Sequence, residues 1–64
     1  MQLNEKEIRL LREFYVDKTR ASKLRKKYNM EPWHVTAKYR NLPKEEFEEA
    51  KAVIYGTTTG GSAA

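Results

Sequence analysis

Cysteine is missing from this 64-residue chain, histidine occurs once, proline twice, and the three glycines all lie at residue 56 or beyond. No disulfide can staple the fold, and one histidine without cysteine leaves no zinc site of the usual nitrogen and sulfur donors. Gly56, Gly60 and Gly61 precede no helix, so no glycine-rich loop cradles a phosphate. No apolar run approaches the length of a membrane span, and no signal peptide is visible at the start. Ser22 and His34 stand twelve positions apart with no third partner, which excludes a recognisable nucleophile–base pair. Glu45, Glu46, Glu48 and Glu49 spread around the outside of a helix and read as a solvated face. The expectation is a non-enzyme with no catalytic residue, cofactor or metal, located in the cytoplasm and associated with the nucleoid.

What the chain has in quantity is positive charge in one place. Residues 1–17 hold three basic and four acidic groups (−1), residues 18–42 eight basic and one acidic (+7), and residues 43–64 two basic and four acidic (−2). A local excess of this kind points to a polyanionic partner more than a mean charge does.

Four helices and no strand are expected. Asn4 is a good N-cap, Glu7 can close a capping box on it, and Leu3 and Ile8 suit a hydrophobic staple. Ile8, Leu11, Phe14 and Tyr15, broadened by Leu10, recur at helical spacing to an end near Asp17. Thr19 is the expected cap of a second helix running to Tyr28, with Ala21, Leu24 and Tyr28 as its narrow apolar stripe. Asn29 suits the left-handed position that ends a helix. Pro32 suits the first position of a third, whose Val35, Tyr39 and Leu42 share a face. Trp33, Thr36, Ala37 and Arg40 lie mostly away from that face, flanked by His34 and Lys38. A fourth helix follows Pro43, with Glu45 and Glu46 in its first turn and Phe47, Ala50, Val53 and Ile54 on its apolar side. Gly56 stops it. Tyr15, Tyr28, Tyr39 and Tyr55 are expected mainly in the core. Residues 1–56 thus make one domain, and 57–64, "TTTGGSAA", a flexible tail or linker.

Two short helices joined through "NME", preceded by a strongly apolar helix, resemble the helix-turn-helix DNA-binding family of phage repressors and other small prokaryotic regulators. The resemblance covers about residues 21–40, with the helix of Ile8 to Tyr15 in support. It departs from the family at Arg25, where a small residue is usual, at Asn29 in place of glycine, and at Lys38 in place of an apolar residue.

The fold implied is an all-α bundle of three to four helices containing a helix-turn-helix. The function implied is sequence-dependent binding of double-stranded DNA, for transcriptional regulation or to mark a site for a larger machine. Base contacts fall to Trp33, His34, Thr36, Ala37 and Arg40, and phosphate contacts to Arg20, Lys23, Lys26, Lys27 and Lys38. For Trp33 two placements compete. One is an exposed indole at the head of the recognition helix. The other, favoured, is a partly buried ring closing the core against the first helix. A homodimer on a two-fold site is the natural assembly. The tail also suits the N-terminal domain of a longer protein. The rival reading is a protein-binding module, an adaptor or inhibitor that docks through helix 43–55.

Overall fold

In a computed structural model the described residues, 2–56, form four helices: α1 (Glu5–Tyr15), α2 (Ala21–Tyr28), α3 (Pro32–Arg40) and α4 (Lys44–Tyr55). The tail expected at 57–64 lies outside these residues. Among the described residues no helix is long and apolar enough to cross a membrane.

Local chemistry sets most of the boundaries. The Asn4 side chain accepts from the Glu7 amide at 2.8 Å, and Glu7 Oε1 accepts from the Asn4 amide at 2.9 Å, which completes the capping box. Leu3, outside the cap, is buried and Ile8 packs against the same core, as a staple requires. Asn29 takes the left-handed conformation at φ 55° and ends α2. Pro32 opens α3, and Gly56 at φ 72° terminates α4.

The passage from α1 to α2 departs from expectation. The first helix ends at Tyr15 with Val16 as its C-cap, two residues before Asp17. Lys18 turns into the left-handed region at φ 60°, and the Thr19 amide donates back to the Glu13 carbonyl at 2.9 Å. Thr19 is therefore spent on closing α1, and Arg20 is the N-cap of α2 with no side-chain capping bond.

α1 packs against all three other helices, and α3 touches each of the others as well. α2 and α4 make no contact and flank the α1–α3 pair. Leu10, Leu11, Leu24, Val35, Ala50 and Ile54 form the centre of the core, with Tyr39, Leu42 and Leu3 completing it. Burying side chains of this size contributes about 1.5–3 kcal/mol each, the main favourable term in so small a domain. Ring contacts link the helices: Trp33 to Phe14, Phe14 to Tyr15, Tyr15 to Tyr39, and Tyr39 stacked on Phe47 at 4.8 Å. Tyr55, expected in the core, is 46% exposed, because α4 turns its last residue past the end of the buried stripe.

Candidate nucleic-acid interface

α3 is half sunk and half open. Pro32, Val35, Thr36 and Tyr39, spaced three and four apart, face inward. Trp33, His34 and Arg40 are exposed, with Ala37 half-buried between them, so one stripe of the helix meets solvent. Three residues, 29–31, separate α3 from α2, and Met30 among them packs on the core.

Thr36 does not belong to the outward stripe. It is 2% exposed, and its hydroxyl donates to the Trp33 carbonyl at 3.0 Å. The reason is geometric: α3 rests on its 32/35/36/39 side, and a threonine whose hydroxyl bonds within its own helix is tolerated there. Its placement as a base contact is corrected accordingly.

Trp33 is also corrected, in the other direction. It is 61% exposed, touching Phe14 edge-on at 6.4 Å between ring centroids. Phe14 supports one edge of the indole and leaves most of it in solvent. Tyr39, in the core, and Phe47, packed against it, stack there instead.

The eight cations of residues 18–42 divide into two groups. Three are engaged. Lys38 Nζ lies 3.2 Å from Glu7 Oε2, Lys27 Nζ 3.0 Å from both oxygens of Glu13, and Arg25 Nε 3.3 Å from Glu31. Lys18, Arg20, Lys23, Lys26 and Arg40 are exposed and form no ion pair among the described residues. Lys23 and Lys26, three apart, share a face of α2 away from Leu24.

The engaged lysines hold the helices together. Glu7 is 5% exposed and receives both the Asn4 amide and Lys38, so α1 and α3 are tied at a buried carboxylate. Glu13 accepts from the Tyr28 hydroxyl and from Lys27, which ties α1 to α2. The Tyr28 hydrogen bond, and then Lys27, hold the Glu13 carboxyl below its ordinary pKa. Burial first, and the bond to Glu13 second, push the Tyr28 hydroxyl up, while Glu13 raises the Lys27 ammonium. Lys27 and Lys38 thus bind the fold before any ligand, which sets them apart from Arg20, Lys23 and Lys26. Spacing along one helix cannot reveal these ties, because each joins residues on different helices.

Among the described residues no group of three or more histidine, aspartate or glutamate side chains is arranged to hold a metal ion. Compared with protein-family models, curated proteins and solved structures, the chain matches none.

Proposed function

We propose that this protein binds double-stranded DNA, with α2, the turn at 29–31 and α3 acting as a helix-turn-helix. The observation that carries the reading is the open stripe of α3 together with exposed cations on α2, the helix packed against it, that form no ion pair among the described residues. From Trp33 to Arg40 that stripe runs about 10 Å at 1.5 Å per residue, the height of about three base pairs at 3.4 Å each. An α-helix fits the major groove, where arginine pairs with guanine more often than any other specific contact.

The roles within the interface follow from exposure and pairing. Arg40 and His34 are the hydrogen-bonding candidates toward base edges, and Ala37 offers an apolar contact to a thymine methyl. Trp33, standing proud at the head of α3, presents a flat face for a sugar or base. Arg20, Lys23 and Lys26 supply phosphate contacts, since no carboxylate neutralises them among the described residues. Transcriptional regulation or the marking of a DNA site is the purpose such binding serves, in the compartment that holds the DNA.

Titration of a labelled duplex at two salt concentrations tests the reading. The logarithm of affinity should fall by about 0.9 per phosphate neutralised for each decade of salt, so three contacts give a slope of about −2.7. Affinity that ignores salt, or an equal preference for single strands, would remove the proposal.

A further inference from the structure

Arg25 and Glu31 face each other across the turn between α2 and α3. Arg25 Nη2 donates to Glu31 Oε1 at 3.4 Å, and its Nε lies 3.3 Å from Oε2. About half of each side chain meets solvent, 52% for Arg25 and 50% for Glu31. An exposed ion pair adds little to stability. The turn has other supports in the left-handed Asn29, in Met30 packed on the core and in Pro32 buried at the start of α3. Structural need does not account for the pair.

Its place suggests another use. Glu31 is the N-cap of α3, two residues before Trp33 and one helical turn before His34, so it heads the open stripe. It makes no side-chain capping bond, and its oxygens are turned toward Arg25 instead. Each carboxylate oxygen has two acceptor sites, and Arg25 takes no more than one on each, which leaves acceptors open to solvent. A lone carboxylate there would repel phosphates. With Arg25 the pair has no net charge, and what remains is a directed acceptor at the head of the helix.

The base edges differ in what they offer such an acceptor. In the major groove guanine presents the acceptors N7 and O6, and thymine the acceptor O4 and a methyl group. Adenine sets its N6 donor beside the acceptor N7, whereas cytosine presents its N4 donor alone. Only cytosine therefore meets a carboxylate without an opposing acceptor on the same base. We infer that Glu31 reads a cytosine N4 amino group, with Arg25 as the positioning residue that neutralises and orients its carboxylate. This rests on the proposed function and adds a base specificity to it.

Selection from a randomised duplex pool, then titration of the four base pairs at each position of the selected site, tests the inference, with circular dichroism to verify folding. The wild type should show one position where cytosine is preferred about tenfold. Glu31→Gln should move that preference to adenine, which glutamine pairs through N6 and N7. The exchanged pair Arg25→Glu/Glu31→Arg retains the bridge across the turn and should move the preference to guanine. Arg25→Ala should lose most of the cytosine preference while the other positions keep theirs. A cytosine preference that survives both Glu31→Gln and the exchange would overturn the inference and leave the proposed function standing. So would a wild type that binds duplex with the expected salt slope and shows no such position. Absence of salt-dependent duplex binding by the wild type would instead defeat the proposed function, and the cytosine assignment with it.

Discussion

Lys38 of α3 and Glu7 of α1 stand 31 residues apart in sequence and 3.2 Å apart in space. The same Glu7 closes the capping box at the start of α1, so one buried carboxylate fixes a helix end and the attitude of α3. Removing one member of such a pair leaves the other without its partner. Lys38→Met keeps the apolar stem and deletes the charge, and should cost about 1–3 kcal/mol in urea unfolding. The salt slope of duplex binding should stay as it is in the wild type. A slope shallower by one would return Lys38 to the phosphate contacts.

The Glu13–Tyr28 hydrogen bond makes stability depend on acid. A carboxylate whose folded-state pKa is lowered stabilises the fold above its unfolded pKa and loses that contribution as pH falls through the folded value. Glu13 is such a group. Tyr28→Phe should cost about 1–2 kcal/mol near neutral pH and flatten the decline below the ordinary glutamate range. Tyr28, whose pKa is raised, contributes below its unfolded value and ceases to do so as pH rises through the folded one. Urea midpoints at a series of pH values measure both limbs. Parallel acid curves for variant and wild type would show that the hydrogen bond does not carry the effect.

Neighbouring lysines should behave differently toward DNA. Lys26 has no ion-pair partner among the described residues, whereas Lys27 is held by Glu13. Lys26→Ala should reduce the salt slope by about one. Lys27→Ala should change it by less than half as much while lowering the urea midpoint. The reverse order would move the footprint to the α1 side of α2.

On α3 the contrast lies between Arg40 and Thr36. Arg40→Ala should cost about 1–3 kcal/mol of discrimination between a preferred duplex and random sequence. Thr36→Val should leave sequence preference alone, since the threonine is buried beneath the stripe. Competition titrations with both duplexes decide it, and equal losses on the two for Arg40→Ala would reduce that residue to a backbone contact.

The parts of this fold legible in the sequence are those governed by three or four neighbouring residues. Asn4 with Glu7, Leu3 with Ile8, Asn29, Pro32 and Gly56 each act through their own backbone or one helical turn. Their effects survive whatever the tertiary structure does. Thr19 failed as a cap because Lys18 enters the left-handed region, a turn that polar residues near a helix end do not announce. Thr36 and Trp33 exchanged places between outside and inside for a different reason. A helix with mixed composition, such as "PWHVTAKYR", has no strongly apolar face to fix its rotation. That rotation is set by what it packs on, here Lys38 against Glu7 at one end and Trp33 against Phe14 at the other. Both contacts span too much chain for periodicity to report. The open stripe of the candidate site was therefore legible as charge and break and in His34, Ala37 and Arg40, whereas the burial of Thr36 and the exposure of Trp33 were not.

The lysine-rich α2 and the glutamate-rich α4 each pack on α1 and α3 and do not touch one another, so the most basic and the most acidic helices are kept apart. On the proposed function, the field of the DNA should exert a torque on so uneven a charge distribution as well as a pull, and favour approach with α2 forward. The alignment acts only within a screening distance of about 10 Å at 0.1 M salt. Ionic strength should therefore set how often an encounter with DNA begins in the right orientation, as well as how firmly it ends.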